Sequence, residues 1–307
     1  TKITPSSIEA TLDINSEIGK VVADLELNNF DSLDNAVYNG EVLLDKFDLG
    51  NLFDDNAFGD FSFEGLVDGK GFRLENINTQ LKGTISQIEF NKYNYQNITV
   101  NGLYKNNLFN GKLGFFDDNL NGTFEGLADL SEEINKFDFK TTVNYANLRA
   151  LNLYSRDSIS ELSGVIDLDL TGNKLDNVIG IANFKNIEYT NEKELYPFKQ
   201  FLIFSTLNDG VRQVRIDSED IIKGELIGDF KFEEMLPLAQ NALGSMYANY
   251  TPYKVSLNQF LKFDFVIYNK IVDVFYPEIS VAPGTKIIGS IKSDNNQLKV
   301  KINSPKI

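Results

Sequence analysis

The sequence predicts an all-β protein of mainly antiparallel strands, and three observations carry that expectation. Apolar and polar residues alternate with period two in run after run. Along residues 164–170, Ile166, Leu168 and Leu170 point one way and Asp167 and Asp169 the other, the pattern of a sheet with one apolar and one wet face. Clusters such as Thr171-Gly172-Asn173-Lys174 separate the runs as turns. No amphipathic helices alternate with the strands, so nothing supplies the crossovers that a parallel sheet requires.

Taken in order, Ile8, Ala10, Leu12 and Ile14 open the chain as a strand, and Val21, Ala23, Leu25 and Leu27 form the next. Residues 28–32 read as a turn and residues 41–44 as a short strand. Residues 48–53 fit one helical turn with Asp48 as its cap. Phe61, Phe63, Gly65 and Val67 share a strand face, and Asp68-Gly69-Lys70-Gly71 reads as the turn that ends it. Hairpins follow up to Tyr145, with strands around Gly83, Ile98-Thr99-Val100, Gly111 and Gly122. Phe137, Phe139, Thr141, Val143 and Tyr145 make a longer one.

In the central stretch, residues 162–232, Gly180 opens a strand that Ile187 and Tyr189 end. Val214 and Ile216 continue the alternation, and Gly224 starts a strand in which Leu226, Phe230 and Phe232 share a face. One helix is expected near 233–250. Glu233 and Glu234 favour its start, and Pro237 is tolerated only in the first turn. Leu236, Ala239, Leu243, Met246, Tyr247 and Tyr250 recur at helical spacing, and Pro252 stops the helix. Such a stripe either docks on a sheet or acts as a plug over a groove. Strands resume with Leu261, Phe263, Phe265 and Ile267, then Val272 and Val274, then Ile287 and Ile291, then Leu298, Val300 and Ile302. The glycine spacing is too variable for a fixed-period repeat. No linker rich in Pro, Gly or Ser interrupts residues 1–307, which read as one continuous β segment with one or two short helices.

Composition bounds the chemistry. At 307 residues and 42% hydrophobic, the chain can bury a large core. Its net charge of −15 argues against nucleic acid, whose phosphates need clustered Lys and Arg. With no Cys and no His, disulfides, thiolate metal sites and Ser-His-Asp triads are excluded. The expectation is a protein that is not an enzyme and carries no cofactor. No apolar run approaches the roughly 20 residues of a membrane span, and residues 1–5 do not read as a signal peptide. The chain begins and ends within strand-like text, as a segment of a longer polypeptide would.

The remaining motifs have plain readings. Asp117-Asp118-Asn119-Leu120-Asn121-Gly122 begins like a calcium loop, but the twelfth position is Ala128 where a bidentate Glu is required; it reads as a polar turn. Gly69-Lys70-Gly71 lacks the third glycine of a dinucleotide loop and reads as a hairpin turn. The acidic pairs Asp54-Asp55, Glu132-Glu133 and Glu233-Glu234 could suggest glycosidase carboxylates, but they fall in loops or at a helix start, where solvated charge is ordinary. The apolar face itself is left. The chain holds 24 Phe, many on the apolar side of strands. Either two such faces bury each other in a sandwich, or one curved, open sheet presents a trough. An open trough exceeds the apolar patch a soluble protein tolerates and calls for an apolar ligand, which lipid acyl chains supply.

Several runs resemble the TamB family of AsmA-like envelope proteins. Residues 162–168, 175–180, 198–205, 216–219 and 224–230 carry the likeness. Gly71-Phe72, residues 93–98, 109–113 and 124–127 are similar to versions of the family from Bacteroidota, as is the richness in Asn, Lys, Ile and Phe. The resemblance covers most of the chain. It implies a long U-shaped β-groove, the β-taco, crossing the periplasm from an inner-membrane anchor outside this segment. It also implies phospholipid transport between the inner and outer membranes, and a TamA-type outer-membrane barrel as partner. The apolar strand positions then become candidate lipid contacts: Phe61 and Phe63; Phe137, Phe139 and Val143; Ile166, Leu168 and Leu170; Val214 and Ile216; Leu226 and Phe230; Phe263, Phe265 and Ile267; Leu298 and Val300. The alternative is an assembly scaffold for outer-membrane proteins that pairs client strands with an exposed sheet edge.

Overall fold

The structure, a computed structural model, describes residues 2–3, 7–29, 31–32, 34–73, 75–244, 249–268 and 281–305. It is all-β and antiparallel, with two short α-helices. Contacts divide the chain into two compact units. The first comprises Thr1–Ile166 with Glu188–Leu195, and the second Asp167–Ile187 with Tyr196–Ile307.

In the first unit the strands are β1 (Lys2–Ile3), β2 (Ser7–Ser16), β3 (Gly19–Asn28), β4 (Val37–Asp48), β5 (Phe58–Lys70), β6 (Asn78–Phe90), β7 (Tyr93–Lys105), β8 (Leu108–Asp117), β9 (Leu120–Asp129) and β10 (Lys136–Asn147). Each pairs antiparallel with the next. The reason is local. Asn91-Lys92 and Asn106-Asn107 have positive φ at both positions, the two-residue turn whose twist matches that of the strands it joins. Between β4 and β5, α1 (Leu49–Phe53) starts at Asp48, whose carboxylate accepts from the Asn51 amide at 2.9 Å, as its capping role requires.

β11 (Ser160–Thr171), β12 (Ile179–Asn191) and β13 (Leu195–Asn208) hold residues of both units. The second unit adds β14 (Val211–Asp217), β15 (Ile222–Asp229), α2 (Met235–Gly244), β16 (Phe260–Ile267), β17 (Thr285–Lys292) and β18 (Gln297–Asn303). From β13 to β18 each strand again pairs antiparallel with its successor.

Several expectations need correction. Asp68, Gly69 and Lys70 are strand residues, not a turn: Gly69 lies opposite Tyr38 and Thr79. The chain leaves β5 only at Gly71, whose φ is +78°. The glycine at 69 marks a close backbone approach, which the dipeptide pattern cannot distinguish from a turn. The strand expected over 41–44 runs over Val37–Asp48. Phe232 is not on a strand; it opens a 3-10 turn, Phe232–Glu234, that leads into α2. The described helix ends at Gly244, short of Tyr250 and Pro252. Met246, Tyr247, Val272 and Val274 lie outside the described residues.

Glycines recur on the apolar face of the first unit. Gly102, Gly111 and Gly126 stand directly across from one another on β7, β8 and β9, and Gly65 faces Gly83. A side chain at Gly111 would fall on the Cα of Gly102 and the carbonyl of Asn101, both main chain. Main chain cannot yield as a side-chain tip can. Gly111→Val is expected to destabilise the protein by about 2–3 kcal/mol in urea unfolding. Gly210→Ala, at a turn where no atom lies within 4 Å of the added carbon, pays only for its positive φ of 79°, about 1 kcal/mol.

Candidate functional site

Each unit has an apolar face assembled from rows of side chains that meet across strands. In the first unit, Val42, Gly65, Gly83, Val100, Leu113, Phe124 and Thr141 form one row. Val67, Leu81, Gly102, Gly111, Gly126 and Phe139 form the row beside it. Ala23, Leu25, Tyr38, Phe63, Val67 and Val100 are its buried centre, with Leu12, Phe61, Ile85 and Phe109 partly buried against them. Aromatic rings continue the face across three strands: Phe109 to Phe124 at 6.1 Å and Phe124 to Phe139 at 4.8 Å between centroids. Phe137 adds an edge contact to Phe139.

In the second unit, Val214, Leu226, Phe263, Gly289 and Val300 form one row. Ile203, Ile216, Gly224, Phe265, Ile287 and Ile302 form another. A third is Arg212, Gly228, Leu261, Ile291 and Leu298. Helix α2 lies on this face: Leu238 shares a buried cluster with Val214, Leu226, Phe230, Leu261 and Ile291, and Met235 and Ala239 pack against it. The helix therefore presents residues 235, 238, 239 and 242. Leu236 and Leu243, assigned to the apolar stripe from spacing, are 67% and 50% exposed. The buried polar Asn241, which masked the true stripe, donates to the Tyr253 carbonyl and accepts from the Tyr253 amide and the Tyr250 hydroxyl.

The candidate contacts divide by burial. Phe63, Val143, Val214, Leu226 and Phe230 are buried. Val143 sits with Ala146 and Leu151 in a separate small core, and Phe230 lies in the cluster that contains Leu238. Phe61, Phe137, Phe139, Ile166, Leu168, Leu170, Ile216, Phe263, Phe265, Ile267 and Leu298 are half-buried, and Val300 is 45% exposed. Sequence reasoning passed over Arg212, although it shares parity with Val214 and Ile216. The residue is 2% exposed, and its guanidinium donates to the carbonyls of Asp176 and Val178 and to Ser205 Oγ. It lies 5.4 Å from the Phe232 ring centre. Burial lowers its pKa from the ordinary arginine value, opposed by the charge of Asp176.

Two buried carboxylates outside this face, those of Asp117 and Asp157, are structurally committed. Asp117, first residue of the calcium-like run, accepts from the Tyr93 hydroxyl at 2.5 Å and from the Asn119 and Gln96 amides at 2.8 Å. Among the described residues, no cluster of three or more Asp, Glu, His or Cys is placed to hold a metal. Asp157 is buried and paired with Arg156 at 2.7 Å, and it accepts from the Tyr189 hydroxyl at 2.6 Å. Two shallow depressions lie on wet faces. One, of about 520 Å³, includes Glu225, Lys262, Asp264, Lys299 and Lys301. The other, of about 360 Å³, includes Asp24, Glu41, Glu64 and Lys82. Both mix charges of the two signs and offer no converging catalytic groups. Among the described residues no helix is long and apolar enough to cross a membrane. In comparisons with protein-family models, curated proteins and solved structures, the chain matches none.

Burial, then the neighbouring Asp157 carboxylate, push the Tyr189 phenol up to about 12. An unfolded phenol titrates near 10, so the folded state holds the proton longer. That contribution is fully present below pH 10 and is lost as pH rises from 10 to about 12. Melting temperature followed from pH 9 to roughly 11.5 should fall, and Tyr189→Phe should flatten part of that fall.

Proposed function

We propose that the apolar faces hold phospholipid acyl chains, and that the protein is a periplasmic segment of a TamB-like protein along which phospholipid moves between inner and outer membranes. A TamA-type barrel is the outer-membrane partner this reading implies. The observation that carries it is the half-burial of the candidate contacts. In a sandwich whose two apolar faces interlock, Phe137, Phe139, Leu168, Phe263 and Phe265 would be as buried as Phe63 or Leu226. They keep accessible apolar surface instead. Extended runs of such surface, flanked by charged wet faces, suit a guest that is long, flexible and hydrocarbon. Helix α2 supports the reading, because it lays Leu238 on the apolar face as an apolar guest would lie.

Mass spectrometry of lipid extracted from the purified protein is expected to find phospholipid. Leu168→Asp should lower the lipid load while shifting the melting temperature by only a few degrees, since a half-buried position lets the charge reach water. Leu226→Asp, at a position 6% exposed, should unfold the protein or cost about 3 kcal/mol or more. A folded protein free of lipid, or a load unchanged by Leu168→Asp, would overturn the proposal.

A further inference from the structure

Charge is divided unevenly along the chain. The first unit holds 29 of the 44 acidic and 14 of the 29 basic residues, and the second holds 15 of each, so the whole net charge of −15 belongs to the first. On the wet face of the second unit, two rows meet across strands. Ile227, Lys262, Ser290 and Lys299 form one, and Glu225, Asp264, Ile288 and Lys301 the other. Together they border the depression of about 520 Å³. Its carboxylates are already engaged: Asp264 pairs with Lys286 at 3.2 Å, and Glu225 accepts from the Gln213 side-chain amide at 3.0 Å. Among the described residues, Lys262, Lys299 and Lys301 have no carboxylate in ion-pair reach, and all three are exposed.

Apolar side chains are exposed among these charges. Ile288 is 36% exposed between Asp264 and Lys301, and Phe204 is 40% exposed opposite Arg215. A boundary between water and hydrocarbon suits both kinds of group: lysine ammonium groups reach the phosphates, and the apolar groups enter the layer beneath. Lysine is a compact point charge without the planar fork that arginine offers a single shaped anion. Three lysines spread over two rows therefore fit a layer of anionic headgroups better than one bound phosphate. We propose that the wet face of β13–β18 docks on an anionic phospholipid surface, with Lys262, Lys299 and Lys301 on the headgroups and Phe204 and Ile288 against the bilayer. Side chains alternate across a strand, so docking by this face leaves the apolar face of the same strands uncovered.

The docking is independent of the acyl-chain reading: a folded protein free of lipid would sink that reading and leave this one standing. Flotation of delipidated protein with vesicles of equal parts phosphatidylglycerol and phosphatidylcholine should show binding at about 0.05 M salt, weakened at least about ten-fold by about 0.5 M as the screening length shrinks. Vesicles of phosphatidylcholine alone should bind far less. Near an anionic surface each lysine changes partition by about five-fold. Joint replacement Lys262→Gln, Lys299→Gln and Lys301→Gln should therefore weaken binding about 100-fold, and Glu225→Gln should strengthen it a few-fold. The three lysines are exposed and without ion pairs, so the fold is kept; circular dichroism checks this. Equal binding to neutral and anionic vesicles, binding that survives the three substitutions, or a tighter hold on soluble polyglutamate than on anionic vesicles would each overturn the proposal.

Discussion

Side chains that meet across strands on one face of the sheet hold each unit together. Phe109, Phe124 and Phe139 touch across β8, β9 and β10, and Val214, Leu226 and Phe263 stand opposite one another across β14, β15 and β16. Each contact is small, but the rows repeat them from strand to strand on the same side. That arrangement needs an unbroken register, because a slip of one residue would turn every apolar group toward water. Turns such as Asn91-Lys92 hold the register, and inward glycines such as Gly102 and Gly111 keep the main chains close where side chains would collide.

Two charged side chains, Arg212 and Asp157, are buried with hydrogen-bond partners in place. Arg212 is on the apolar side yet reaches two carbonyls and a hydroxyl, with the Phe232 ring over it. The same loop accepts it and is tied in turn, since Asp176 also accepts from the Phe232 amide at 2.8 Å. The turn after β11, the start of the helical segment and the end of a sheet row are thereby fastened at one point. Asp157 does the same for the first unit, gathering Arg156 and Tyr189. An unpaired group at either place would cost more than the bond itself contributes.

The strand order, the turns and the parity of the apolar residues are legible in the sequence because all three are local. Asp48 as a helix cap and the inward position of Leu226 follow from spacing alone. What escapes is what spacing does not encode. Gly69-Lys70-Gly71 spells a turn, yet Gly69 is paired on both sides. The face that α2 buries is decided by Asn241 and its partners Tyr250 and Tyr253, nine and twelve residues away. The burial that separates Val143 from Phe139 arises from a turn bearing Leu151, which period-two reasoning does not place.

Within each unit's meander the pairings join neighbours in the chain, so ordering one more strand closes only a short loop. The entropy of that closure is small, and a ribosome releasing the chain from its N-terminus delivers each hairpin ready to add to the last. Such a scaffold can gain or lose a hairpin without redesigning the others. Its length is a quantity that duplication and deletion can tune.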